Sequence, residues 1–343
     1  MKPSAEYDDI AEEYQASKWL PFRHYVERYT LLDLLGDVRG RTVLDMACGE
    51  GVYARQFKRQ GATEVTGVDV SREMVALAQA QERAEPLGCR YVCADAADFT
   101  PDAPVDAVTA IYLLNYARTR AELERFCRAC HRALRPGGRL VGFNDNVRRP
   151  PPPGSAQELA KYGFERTCAF PPSEGDAIRY RMTLHDDRVF EFDNYYLTPA
   201  TYEAAMRAAG FADFRWVDAR LEPSEREDPF WRDFFAHAPL TAFTARKAAP
   251  QQSRQGDEDT AASGPGRLAA GEASARTGAQ DLHRWERRSS GGENGRRHGT
   301  DGHARACVHR RGIRGSRRAS QGRRKTKSML PRGGWVISGV TPR

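Results

Sequence analysis

Up to Lys247 the spacing of apolar positions keeps switching between the helical and the strand period; beyond it continuous periodicity stops. Tyr7, Ile10, Ala11 and Tyr14 share one side of a helix expected over Tyr7 to Ser17, and a second helix is expected from Pro21 to Leu35, stopped by Gly36. Thr42-Val-Leu-Asp-Met-Ala47 is a short apolar run entering a glycine turn, the pattern of a buried parallel strand. Val52 to Gln60 is the helix after it, closed by Gly61. The unit then repeats, with a strand over Glu64 to Asp69 and Ser71 capping a helix from Arg72 to Arg83. Arg90 to Asp95 and Val105 to Ile111 read as the next strands. Ala121 to Leu134 is a helix ended by Arg135-Pro-Gly-Gly138, which launches a strand over Arg139 to Asn144. Strand–helix units in such succession predict an α/β fold built on a doubly wound, mostly parallel sheet.

Residues 149–198 break this rhythm. Ile178, Tyr180, Met182 and Leu184 alternate with polar residues, Asp186-Asp187 offers a turn, and Phe190 and Phe192 alternate in return. A β-hairpin inserted above the sheet is the expected result, and at the carboxyl edge it would act as a lid over a ligand crevice. A helix over Thr201 to Ala209 before Gly210, and strands over Asp213 to Val217 and Leu240 to Arg246, complete the pattern.

Composition divides the 343 residues in two. Residues 250–343 hold 20 Lys+Arg against 8 Asp+Glu and 16 of the 30 glycines, whereas residues 1–249 hold 33 against 38. The basic balance belongs to the tail alone, and the body is net acidic. One domain over 1–249 and a disordered Gly/Arg/Ser-rich extension over 250–343 is the expected organisation. Basic clusters such as Arg323-Arg-Lys-Thr-Lys327 admit a nucleic-acid arm, yet the tail offers only Trp285 and Trp335 for base stacking, and an acidic body would repel a phosphate backbone. Arg/Gly/Ser/Ala-rich text without periodicity is also what an out-of-frame reading of GC-rich DNA gives. The expectation is therefore no nucleic-acid partner. No apolar run is long enough to span a membrane, and the acidic start does not resemble a signal peptide. Seven cysteines without a framework spacing read as free thiols in a reducing cytoplasm. Cys127 and Cys130 fall inside an expected helix with no second pair at metal spacing, so no metal site is expected.

The chemistry concentrates at Gly49-Glu-Gly51, between a strand and a helix, where the backbone must turn tightly and approach a ligand without an intervening Cβ. Asp69 ends the next strand, where a carboxylate can accept both ribose hydroxyls. This spacing also satisfies the loose dinucleotide fingerprint, which leaves a nicotinamide or flavin cofactor as a competitor. Two acids argue otherwise. Asp45 lies inside the first strand, suited to an α-amino group close to the turn, and Asp95 ends the third strand, suited to an adenine amino group beside the Ala96 N–H.

Val43-Leu-Asp-Met-Ala-Cys-Gly-Glu-Gly51, Gly67-Val-Asp-Val-Ser71, Asp95-Ala96 and Leu134-Arg-Pro-Gly-Gly138 resemble, in order and spacing, the motifs of class I S-adenosylmethionine-dependent methyltransferases. The resemblance implies a Rossmann-like fold with a seven-stranded sheet and S-adenosyl-L-methionine as cofactor. By it, Ala47, Gly49 and Gly51 would line the methionine moiety, Asp69 would hold the ribose, and Asp95 and Ala96 the adenine. Tyr14, Asp45, Val70, Met74 and Tyr112 complete the expected cofactor contacts. Many members have glycine where this chain has Ala47, and an alanine fits there with a negative φ.

Narrower stretches resemble the toxoflavin synthases: Tyr7-Asp-Asp-Ile-Ala-Glu-Glu-Tyr14 with Ser17-Lys18, Leu20-Pro-Phe-Arg23, Glu27-Arg-Tyr-Thr30 before Leu34-Leu-Gly-Asp37, Tyr112-Leu-Leu-Asn-Tyr-Ala117, Phe192-Asp-Asn-Tyr-Tyr-Leu197 and Phe230-Trp-Arg-Asp-Phe234. That likeness implies two successive N-methylations of a small azapteridine, through reumycin to toxoflavin. A flat heterocycle wants aromatic walls and a few amide or hydroxyl partners. Tyr7, Trp19, Asn115, Tyr116, Asn194, Tyr195 and Tyr196 supply those types, and strand alternation turns only one of Tyr195 and Tyr196 inward. Trp216 and Trp231 read as core, and His24 and His185 as surface residues. No general base is assignable.

Overall fold

The parallel strands form where short, largely apolar runs lead into a polar turn, and those at the centre of the sheet are buried on both faces. In the computed structural model, which describes residues 8–249, these are β1 (Thr42–Met46), β2 (Glu64–Asp69), β3 (Cys89–Cys93), β4 (Val105–Ile111) and β5 (Leu134–Asp145). With β9 (Phe211–Asp218) and β10 (Leu240–Lys247) they make a seven-stranded sheet in the order β3-β2-β1-β4-β5-β10-β9. Strands β3 to β5 are parallel, and β10 runs antiparallel between β5 and β9. The strand order reverses at β1, which has β2 on one side and β4 on the other, so a crevice opens at their carboxyl ends.

The helices are α1 (Ala11–Ser17), α2 (Tyr29–Leu35), α3 (Val52–Arg59), α4 (Arg72–Ala84), α5 (Arg120–Ala133), α6 (Ala156–Leu159), α7 (Pro199–Ala208) and α8 (Arg232–His237). Ser71 caps α4 as expected, its hydroxyl accepting from the Met74 N–H at 3.2 Å. Helix α5 starts one residue earlier than its apolar spacing suggests because Thr119 and Glu122 close a reciprocal capping box.

Three local features differ from the sequence expectation. The second helix is π-helical over Arg23–Arg28 before it becomes α2, an extra residue per turn that a 3.6 period does not encode. Strand β5 begins at Leu134, which already pairs with Val105, so the strand takes in Arg135-Pro-Gly-Gly138 with a register shift. The insert is a three-stranded antiparallel sheet, β6 (Phe164–Thr167), β7 (Ala177–Thr183) and β8 (Val189–Tyr195), in which the hairpin around Asp187 is joined by a further strand. The missed strand hides its alternation because one of its two buried positions is an arginine, Arg166.

That arginine ties insert to body. Arg166 Nη1 meets Asp145 Oδ1 at 2.7 Å at the end of β5 and also donates to the Pro239 carbonyl, while Nη2 donates to the Arg149 carbonyl at 2.7 Å. Aromatic packing does the rest. Phe164 lies 4.9 Å from Phe22, Tyr14 meets Phe190 and Phe192 edge-on at 6.4 and 6.0 Å, and Tyr180 stacks on Phe192 at 5.2 Å. Each such ring, fully buried, contributes about 1.5–3 kcal/mol. Trp231 is core, whereas Trp216 is half-buried against Tyr202, Phe214 and Phe243. Tyr7, Cys307, Trp285, Trp335 and the whole 250–343 tail lie outside the described residues. No helix among the described residues is long and apolar enough to cross a membrane.

Replacing Arg166 with Met leaves Asp145 buried without its counter-ion, and urea unfolding should show a loss of about 3–5 kcal/mol. Adding Asp145→Asn to that variant should restore part of the loss.

Candidate active site

The carboxyl ends of β1, β2 and β3 place Asp45, Asp69 and Asp95 along one wall of a cleft of about 240 Å³. Asp69 uses one oxygen to accept the Gly49 N–H at 2.8 Å and the other to accept the Ser71 N–H at 2.9 Å. A carboxylate has about four acceptor positions, so each oxygen keeps one for a diol. Burial pushes the Asp69 carboxyl up, with Glu50 adding to the effect against the two N–H donors. Asp95 fixes the Ala97 N–H at 2.8 Å and lies beside Ala96, Val70 and Phe126.

Asp45 is fully buried. Its Oδ1 accepts from Thr109 Oγ1 at 2.6 Å, and its Oδ2 has no partner among the described residues. Burial pushes this carboxyl up to about 7, opposed by Thr109 and Lys18 and reinforced by Asp69 and Glu50. An ammonium group brought to the free oxygen would supply the missing counter-charge. The acidic turn thus fits the amino end of an aminoacyl nucleoside, and the free acceptor positions on Asp69 fit its ribose.

The glycine turn holds a correction. Ala47, expected at negative φ, has φ 61, in the left-handed region, as does Gly49 at φ 55. For an alanine this costs about 1–2 kcal/mol, held by the sheet and helix on either side of the turn. Gly51 is the second correction. It does not line the cleft; it packs under Tyr91, whose Oη would lie 2.5 Å from an added Cβ. The remaining expected cofactor residues, Tyr14, Asp45, Ala47, Gly49, Asp69, Val70, Met74, Asp95, Ala96 and Tyr112, all line this cleft.

Beyond a seam formed by Tyr14, Tyr112 and Tyr116, which also line the cleft, lies a narrow inner chamber under the insert, with a cavity volume of about 20 Å³. Phe22, Phe164, Tyr180 and Phe192 give it aromatic walls, and Arg23 and Asn194 add polar groups. Of the acceptor candidates, Tyr116 and Asn194 reach it. Trp19 does not: it is 80% exposed. Tyr195 does not, because Arg118 holds it outside through a hydrogen bond to its hydroxyl and a guanidinium 4.3 Å from its ring centre. Tyr196 is buried, yet lines neither cavity, and the same is true of Asn115, whose side-chain amide is buried without a partner among the described residues. His24 and His185 are exposed.

Sequence reasoning missed a buried ionic cluster behind the seam. Glu27 accepts from Arg23 Nη1 at 2.9 Å, from Tyr53 Oη at 2.6 Å and from Tyr112 Oη. Burial pushes the Glu27 carboxyl up, yet Arg23, Lys18 and the two tyrosine hydroxyls outweigh it and hold the group below its ordinary value. Tyr112, at φ 61, is fixed there by this bond and by its N–H to the Phe143 carbonyl at 2.7 Å. The signal was an Arg–Glu pair four residues apart on the same buried face as Phe22, Val26 and Leu31. Lys18 was also missed; it lines the cleft with Nζ 4.7 Å from the Tyr14 ring centre.

Between pH 4 and 7 folded Asp45 retains a proton that the unfolded chain, with an ordinary value of 3.8, has released. Stability therefore falls as pH rises through that window. Asp45→Asn should raise the ligand-free Tm more at pH 8 than at pH 5, while weakening S-adenosylhomocysteine binding at pH 8 by about 2 kcal/mol or more in calorimetry. Equal Tm shifts at both pH values would contradict the assignment.

A family described as a methyltransferase domain matches residues 43–138. The chain is 32% identical over 189 residues to the demethylmenaquinone methyltransferase of Thermus thermophilus, covering 54% of this chain and 80% of that protein. It is 26% identical over 216 residues to the N-demethylindolmycin N-methyltransferase of Streptomyces griseus, covering 62% and 88%. A crystal structure of an S-adenosylmethionine-dependent methyltransferase from Clostridium acetobutylicum aligns with a TM-score of 0.48 at 15% identity, over 71% of this chain and 99% of that one. By its motifs, its sheet and its relatives, the chain belongs to the class I S-adenosylmethionine-dependent methyltransferases.

Proposed function

We propose that this enzyme methylates ring nitrogens of a small, planar, azapteridine-like heterocycle, in two successive transfers that pass through reumycin to toxoflavin. The observation that carries the reading is the inner chamber: closed over by the insert, walled by Phe22, Phe164, Tyr180 and Phe192, and separated from the cofactor cleft only by three tyrosines. Its aromatic faces suit a flat ring, which would part these walls as it enters. The stretches that resemble toxoflavin synthases contribute Tyr14, Phe22, Arg23, Tyr112, Tyr116, Phe192 and Asn194 to these two cavities.

Bound S-adenosylmethionine supplies an electrophilic methyl group on a sulfonium. Asp45, Asp69 and Asp95 would hold the donor, with Ala47, Gly49 and Met74 along its length. The chain's own contribution is alignment and exclusion of water. The insert covers the chamber, and Tyr14, Tyr112 and Tyr116 line both cavities, where acceptor and donor would meet. Tyrosine faces there favour a cation by about 0.5–2 kcal/mol each. Among the described residues no carboxylate or imidazole lines the chamber. An acceptor with an acidic ring N–H needs no strong base, which an electron-poor bicyclic dione provides and an ordinary amine does not.

The test incubates the full chain with S-adenosylmethionine and the doubly demethylated azapteridine and reads products by mass spectrometry. One and then two methyl additions are expected. Cofactor binding without product would overturn the acceptor and leave another small molecule as substrate. Methylation of an oligonucleotide instead would favour a nucleic-acid-directed enzyme.

A further inference from the structure

Arg23 and Asn194 approach the chamber from unrelated elements, the π-helix and β8, and each brings a polar atom that the protein leaves unused. Arg23 is nearly fully buried; its Nη1 is spent on Glu27, and its Nε has no partner among the described residues. Its guanidinium lies 5.2–5.3 Å from the ring centres of Tyr14, Phe22 and Tyr112, so packing on three sides fixes it. Asn194 is equally buried, and its Oδ1 has no partner among the described residues. Burial pushes the Asp145 carboxyl up, and the Asn194 amide, with Arg166 and Tyr180, opposes that rise. Only the amide nitrogen can do that, which leaves Oδ1 as the acceptor turned elsewhere.

A buried donor and a buried acceptor, both unmatched and both lining one aromatic chamber, are expensive to maintain without a ligand. We infer that Arg23 Nε and Asn194 Oδ1 read a lactam or imide edge of the acceptor, the donor meeting a carbonyl oxygen and the acceptor meeting the adjacent ring N–H. The inference rests on the chamber being the acceptor site, and it narrows the substrate class from flat heterocycles to those with an O=C–N–H edge. Aromatic walls alone would take any flat ring; this pair rejects rings whose edge is alkylated or carries hydrogen-bonding groups of the wrong sense.

Two pteridines serve as probes, titrated calorimetrically into the full chain saturated with S-adenosylhomocysteine. Lumazine carries imide edges; 2,4-dimethoxypteridine has the same ring system with those edges blocked. The wild type should prefer lumazine by at least about tenfold. Arg23→Lys keeps the charge facing Glu27 and removes the Nε donor, and Asn194→Leu removes the acceptor at similar volume. Each should collapse the preference toward unity by weakening lumazine alone. No preference in the wild type, or a preference that survives both changes as simple steric exclusion would, overturns the inference. Should Arg23→Lys lose its fold by circular dichroism, Asn194→Leu decides. If the azapteridine is methylated while both variants retain its KM, this recognition is wrong and the proposed function stands. If lumazine is discriminated as described while the azapteridine gives no product, the edge reading holds and the proposed acceptor fails.

Discussion

A single buried carboxylate, Glu27, organises both cavities of this enzyme. It is completely shielded from solvent and accepts hydrogen bonds from three elements: Arg23 on its own π-helix, Tyr53 on the helix after the glycine turn, and Tyr112 at the end of β4. A charge so placed is tolerated only while its partners are present, because a lone buried carboxylate has a desolvation penalty of several kcal/mol. The partners are in turn the walls. Tyr53 and Tyr112 line the cofactor cleft, and Arg23 and Tyr112 line the inner chamber. Holding Glu27 ionised therefore holds the seam between cleft and chamber in place, including a tyrosine kept at positive φ.

The cleft on the other side works by the opposite logic. Asp45, Glu50 and Asp69 crowd one turn with insufficient counter-charge, and burial pushes the Asp45 and Asp69 carboxyls up. Such a turn destabilises the ligand-free protein and attracts a cationic, amino-bearing ligand. The inner chamber has its positive group, Arg23, already neutralised by Glu27. The cleft and the chamber thus differ in charge as well as shape: the cleft suits a cationic nucleoside, and the chamber, under the proposed function, a neutral ring.

Much of this was legible in the sequence. The β1–turn–α3 unit, Asp69, Asp95 and the succession of strand–helix units along the chain follow from local apolar runs and turn chemistry, which act within a few residues. Asp45 was found because an acid inside a buried strand has no structural excuse. What escaped depends on contacts between distant segments. The strand β6 was hidden by Arg166, whose burial makes sense only beside Asp145 at the end of β5. Trp19 and Tyr195 have the right chemistry for a ring-binding site and point away from it, and sequence carries no record of that. The negative φ expected at Ala47 failed for a related reason: the sheet and the helix after the turn impose the left-handed conformation, and the residue follows.

The direct test of this account is calorimetric titration of S-adenosylhomocysteine into the wild type and into Glu27→Gln, with circular dichroism to confirm that the variant is folded. Removing the charge strips Arg23 of its counter-ion and loosens Tyr53 and Tyr112 together, although neither the substituted side chain nor any change in cleft chemistry touches the ligand. The account predicts that affinity falls by at least about tenfold. Unchanged affinity in a folded variant would show that the cofactor cleft stands without the buried cluster, and would contradict the central role given to Glu27.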